Sequence, residues 1–216
     1  MKNLLIIGAR GFGREIYNSA LESIGYNKDF TIKGFLDDKP DVLDGYKDYP
    51  AIIDSVENYS IQTDDIFICA LGEVKYKRYY SEIMMSKGGN FTTIIHKDAY
   101  LSKNTIIGKG CIILAGARVH CDVKIGNFVT IHPYAIIGHD VIIEDWSHIN
   151  ALADCGGFSR IGKEVTLYTT CFVLPKVIVE DNATVGAGSV VLNKVKAGST
   201  VFGVPAKPIM VPNKII

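Results

Sequence analysis

Aliphatic residues recur at every sixth position through the second half of the chain. From Ile95 to Ala197 there are eighteen such positions, and sixteen are Ile, Leu or Val; the exceptions are Cys155 and Ala197. Four residues further on in each hexad the side chain is small or β-branched, as at Ala99, Cys111, Ala135, Ser147, Ser159, Val177 and Val201. Glycine follows the aliphatic at Gly108, Gly126, Gly138, Gly156, Gly162, Gly186 and Gly198. Neither a period of 3.6 nor one of 2 produces this register. A triangular prism does: each hexad is one short strand plus a corner, three hexads make a coil, and residues eighteen apart stack. The aliphatic and the small residue then both fill the interior. Glycine suits the backbone geometry of the corner, and the phase runs on without a slip.

The first ninety residues alternate differently. Apolar runs predict strands over 2–7, 31–36 and 65–71, with a further strand over 91–95 leading into the prism. Helices are expected over about 14–24, where Ile16, Ala20 and Ile24 recur at spacing four, and over 73–86. The polar stretch 39–49, with Pro40 and Gly45, reads as a loop. Strand–helix alternation predicts a small Rossmann-like α/β domain with a parallel sheet. The expected division is residues 1–91 for this domain and 92–216 for a parallel β-helix.

Composition narrows the function classes. Lys plus Arg and Asp plus Glu both number 23 in 216 residues, so no basic field draws in a nucleic-acid backbone. No apolar run reaches spanning length, and the start is too quickly broken for a secretory leader. The five cysteines are odd in number and lack a Cys-x-x-Cys pair, which suits a reduced, cytoplasmic protein. Cys69, Cys111, Cys155 and Cys171 fall on core positions, whereas Cys121 falls outward.

Two stretches carry candidate chemistry. Gly8, Gly11 and Gly13 form a turn between the first strand and the first helix, where backbone N–H groups can approach a phosphate. The spacing is not the dinucleotide fingerprint G-x-G-x-x-G. In the prism, His139 lies two places after the inward Ile137 and points outward near a corner, with Asp140 next. Histidine can accept a proton at neutral pH, and a carboxylate on its second nitrogen fixes the tautomer.

The hexad register, together with the closing Gly203-Val204-Pro205-Ala206-Lys207-Pro208-Ile209, resembles the left-handed β-helix acyltransferases. With the glycine-turn domain in front, the whole chain is similar to the bacterial sugar acetyltransferases that include nucleotide-linked bacillosamine N-acetyltransferases and sialic acid O-acetyltransferases. The resemblance implies acetyl transfer from acetyl-CoA, as co-substrate and without a metal, to a nucleotide-linked amino sugar, in a homotrimer with donor sites between neighbouring prisms. It implies His139 as general base with Asp140, where the family mostly has Glu, and a second histidine nine places on at His148, near the thioester. By position it places the Gly157 N–H at the oxyanion and Thr169 and Ala187 along the pantetheine arm. Sugar-nucleotide contacts carried over are Gly11, Gly13, Asp37, Asp38, Gly72 and His132. The chain has Phe12 where many members carry His. His96 and His120 are expected at the surface.

Three other readings compete. O-acetylation of a sugar such as sialic acid shares the two-domain layout. A prism without a working donor site would be a scaffold. A γ-class carbonic anhydrase-like metal enzyme needs a close His pair with four residues between, and His132 and His139 have six.

Overall fold

The computed structural model describes residues 1–210; residues 211–216, the end of the expected β-helix domain, lie outside the described residues. The chain forms two compact units, Met1–Lys97 and Asp98–Ile216.

The first unit is an α/β domain. It runs β1 (Lys2–Ile7), α1 (Gly11–Leu21), β2 (Phe30–Leu36), β3 (Ile52–Asp54), β4 (Asp65–Cys69), α2 (Val74–Ser86) and β5 (Ile94–Ile95). The first four strands make a parallel sheet in the order β3-β2-β1-β4. Leu4, Leu5, Ile6, Phe35, Leu36, Phe67 and Ile68 are sealed inside it, as a sheet covered on both faces requires. The first helix starts at Gly11, three residues earlier than the pattern of Ile16, Ala20 and Ile24 indicates. Ile24 lies beyond its end and is 58% exposed. Strand β3 has no sequence signal: at three residues it is too short for alternation to register. The expected strand over 91–95 shrinks to Ile94–Ile95, with Phe91 making a single bridge to Phe67. His96, expected at the surface, is buried.

The second unit is a parallel β-helix of two-residue strands. Lys124 pairs with Ile142 and Ile142 with Arg160, Thr130 with His148, and Ile136 with Asp154, so one coil is eighteen residues, as the spacing predicts. From Ile113 to Val191 every sixth residue is at most 3% exposed. The small residues between them, such as Ala117, Ala135, Ser147, Ala153 and Ser159, are equally closed off. Three faces result, named here by their strands: the Ile136–Ile137 face, the Ile142–Ile143 face and the His148–Ile149 face.

Two expectations about this register are corrected. The phase does slip near the end: Val195 bridges Val179 and Val201 pairs with Val185, so the last coil is two residues short. Val195 and Val201 are buried, and Ala197, expected inside, is exposed. Gly198, beyond the slip, does take a left-handed φ of 67°, but before the slip the glycine after the aliphatic is also not there for left-handed backbone. The positive φ falls two residues later, at Phe128 (57°), Asp140 (58°), Trp146 (66°), Phe158 (61°) and Thr170 (59°). Each such residue is held by its own N–H donating to the coil below, as from Asp140 to the Cys121 carbonyl at 3.1 Å and from Phe158 to the His139 carbonyl at 3.0 Å. The glycines answer to space. A Cβ at Gly138 would lie 2.7 Å from the Gly157 nitrogen, and one at Gly156 2.6 Å from the Pro175 nitrogen.

Candidate active site

The corner between the Ile136–Ile137 and Ile142–Ile143 strands carries His139 and Asp140. The left-handed backbone at Asp140 brings its carboxylate back to the neighbouring ring: Nδ1 of His139 donates to Oδ2 of Asp140 at 2.8 Å. An aspartate, one methylene shorter than glutamate, therefore reaches. A carboxylate only accepts, so Nδ1 carries a proton, and in the neutral ring Nε2 is then the nitrogen with the lone pair. Both side chains are open to solvent, at 55% and 40%.

Eighteen residues on, Gly157 occupies the same corner position one coil higher. A Cβ there would lie 2.7 Å from Nε2 of His139 and 2.9 Å from its Cε1, so the imidazole lies against the bare Cα. Phe158 stands edge-on to the ring, with centroids 5.1 Å apart and planes at 90°. At the next corner of the prism, the equivalent N–H groups of Asn127 and Lys163 donate to Oδ1 of Asp145 and Asp181, one coil higher, at 2.7 and 2.9 Å. Above Gly157 the stacked residue is Pro175, which has no side-chain acceptor. Phe158 and Pro175 were missed by the sequence reading; a step of eighteen from Asp140 and from Gly157 finds both.

The remaining prism candidates sit elsewhere. His148 belongs to the third face, opposite the His139 corner, and is 2% exposed. His132 is beside it, with ring centroids 6.3 Å apart. Thr169 and Ala187 are exposed and stack at the corner that follows this face. The Thr169 carbonyl accepts from the Gly188 N–H at 3.0 Å. Within one chain, then, His139, Asp140 and Gly157 form one cluster, and His148, His132, Thr169 and Ala187 lie around another side of the prism. Cys121, directly below His139, is exposed, and partial desolvation of the thiol together with the Asp122 and Asp140 carboxylates raises its pKa, so it is a poor nucleophile. Burial pushes the interior Cys171 up to about 12.

In the first unit, the candidates gather at the C-terminal ends of the strands. Gly8 (φ 96°) makes the turn after β1, and a Cβ on Gly13 would lie 2.0 Å from the Gly8 carbonyl oxygen, so Gly13 lets α1 close on the strand. Gly11 and Gly72 face open space where a side chain would go, so packing does not demand glycine at either. Asp37 follows β2 with both oxygens engaged: Oδ2 accepts from the Ala9 N–H at 2.9 Å and Oδ1 from the Lys39 N–H at 3.1 Å. Asp37 thus ties the glycine turn to the β2 loop, and Asp38 beside it is exposed.

Known proteins share both halves of this layout. Residues 3–84 match the PglD N-terminal domain, and residues 122–153 match the bacterial transferase hexapeptide (six repeats). The first unit thus resembles the PglD N-terminal domain, and part of the β-helix resembles the hexapeptide transferases. It is 27% identical to the GDP-perosamine N-acetyltransferase of Escherichia coli O157:H7 over 145 residues, 67% of this chain and 53% of that protein. It is 30% identical to the UDP-N-acetylbacillosamine N-acetyltransferase of Bacillus subtilis (strain 168) over 119 residues, 53% of this chain and 52% of that one. The chain thus aligns with about half the length of these curated relatives. Among solved structures, it resembles the acetyltransferase domain of PglB from Neisseria gonorrhoeae FA1090 in complex with acetyl coenzyme A. That match has 28% identity and a TM-score of 0.87, covering 96% of this chain and 99% of the other.

Proposed function

We propose that this chain transfers the acetyl group of acetyl-CoA to the amino group of a nucleotide-linked amino sugar. The observation that carries the proposal is the corner itself. Nε2 of His139 is free to take a proton, because Nδ1 is committed to Asp140 at 2.8 Å. The Gly157 N–H lies at the same corner without a side-chain acceptor stacked above it. In the reaction, the sugar amine attacks the thioester carbon while Nε2 removes its proton. Asp140 stabilises the imidazolium that forms. The Gly157 N–H meets the oxyanion of the tetrahedral intermediate, which collapses to the amide and expels the coenzyme A thiolate.

The donor arm is assigned to His148, Thr169 and Ala187, and His132 to the substrate. Because these residues lie on another side of the same prism from His139, one chain does not complete the site. A cyclic homotrimer does, bringing the His148 side of one copy to the His139 corner of the next, a heterologous contact that closes into a ring. In the first unit, Gly11, Gly13, Asp37, Asp38 and Gly72 frame the nucleotide crevice at the point where the strand order reverses, between β1 and β4. Among the described residues no helix is long and apolar enough to cross a membrane, and free cysteines fit a cytoplasmic site of action.

The test is coenzyme A thiol release against a panel of nucleotide-linked 3-amino and 4-amino sugars, with CMP-sialic acid and free sialic acid included. Release with one amino sugar supports N-acetylation. Release only with sialic acid replaces it by O-acetylation, and silence with every member rejects both.

A further inference from the structure

Phe158 is half exposed, at 50%, so the interior of the prism does not account for it. Its place follows from the stacking of coils. At each corner the residue with left-handed φ lies over its counterpart eighteen residues earlier, as Phe158 (61°) lies over Asp140 (58°). The next corner shows what two aromatic side chains do in these positions. Phe128 and Trp146 stack flat there, with centroids 4.0 Å apart and planes at 3°. A carboxylate offers no such face. Asp140 turns instead to Nδ1 of His139 at 2.8 Å, and the phenyl of Phe158 meets the same imidazole at right angles, 5.1 Å between centroids. The Phe158 N–H donates to the His139 carbonyl at 3.0 Å, so the main chain of His139 fixes where the phenyl begins.

The Asp140 contact alone holds the imidazole loosely. Both of its side chains are exposed, and an exposed pair of this kind restrains little. One hydrogen bond also fixes one ring atom and lets the plane pivot about it. Gly157 bounds the ring near Nε2 with a bare Cα only. Phe158 adds a contact that depends on the plane itself, because an edge-to-face pair is favoured at this separation and is lost when one ring turns. Its worth corresponds to about 2- to 12-fold in the population of the held orientation.

We propose that Phe158 is a positioning residue for His139, holding the imidazole plane so that Nε2 faces the attacking amine beside the Gly157 N–H. The proposal rests on the reading of His139 as general base. Phe158 acts through that ring and on neither substrate. The experiment measures kcat and both KM values for coenzyme A release with the full chain, Phe158→Ala, His139→Ala and the double variant, each beside a thermal melt. Phe158→Ala keeps its melting temperature, loses about 2- to 12-fold in kcat and changes neither KM. In the His139→Ala background the same substitution has no further effect. An unchanged kcat in folded Phe158→Ala, a loss expressed in either KM, or an equal loss in the His139→Ala background overturns the positioning role and leaves the general base in place. Full turnover in His139→Ala overturns both. A second measurement reads the contact without turnover. The imidazole proton resonances of His139, assigned by their absence in His139→Ala, move in Phe158→Ala as the ring current of the phenyl is removed; identical positions in the two proteins overturn the proposal whatever the acceptor.

Discussion

Replacing Gly157 with alanine puts a methyl group into the ring of His139. The nearest heavy atoms to the added carbon are Nε2, Cε1 and Cδ2 of that imidazole, at 2.7, 2.9 and 3.2 Å. An ordinary contact needs about 3.5 Å, so the ring must move by roughly 0.8 Å. It is free to do so, being exposed on its outer side, and Gly157 is not among the positive-φ glycines. The variant therefore folds with its melting temperature nearly unchanged. Moving the ring pulls Nδ1 off Asp140 and carries Nε2 away from the attacking amine. A misplacement near 1 Å costs about 10²-fold, equivalent to roughly 2.7 kcal/mol of transition-state stabilisation. The assay is kcat for coenzyme A release with the acceptor that the panel identifies, beside a thermal melt. Full turnover in a folded Gly157→Ala protein refutes the placement of His139 at the reacting centre.

Other expectations follow from single contacts. Gly13→Ala drives a methyl against the Gly8 carbonyl and unfolds the turn, whereas Gly11→Ala meets open space and keeps the melting temperature while raising the sugar KM; equal melts for the pair would contradict the packing argument. Asp37→Ala removes one acceptor from the backbone of the glycine turn and one from the loop after β2, so it lowers stability by about 1–3 kcal/mol in chemical denaturation and raises the sugar KM with little change in kcat. Asp65 is sealed from solvent and accepts from Tyr59 at 2.6 Å, Gln62 N–H at 2.8 Å and Lys33 at 2.9 Å. Burial alone would raise its pKa, but those hydrogen bonds hold it below the usual carboxylate value. The resulting stability is present above the unfolded value, near ~3.9, and is lost as pH falls through the lower folded value. Asp65→Ala destabilises by about 3 kcal/mol and flattens the acid limb of the stability profile; an unchanged limb would contradict this.

The prism was legible because its constraint is periodic. One closed interior repeats every six residues, so each aliphatic from Ile113 to Val191 reports the same geometry. The slip at Val195 hides because Val195 and Val201 suit either interior position, and only pairing with Val179 and Val185 reveals which one they fill. The purpose of the corner glycines was misread for a related reason. A sequence shows that a Cβ is absent, not whether φ or a neighbouring coil forbids it, and at Gly138 and Gly156 it is the coil. His139 and Asp140 were found from chemistry and spacing, yet the separation of His139 from His148 was not. That separation needs the assignment of each hexad to a face, which nine residues of spacing does not supply.

The central claim is acetyl transfer at a His139 corner completed by a second chain, and complementation tests it most directly. His139→Ala and His148→Ala proteins are each assayed alone and after co-refolding at equal amounts. Each alone is near background. In randomly mixed cyclic trimers about a quarter of the interfaces carry both histidines, so the mixture recovers about a quarter of the wild-type rate. A mixed-trimer preparation that stays at background, or a His148→Ala protein that is fully active by itself, contradicts the account.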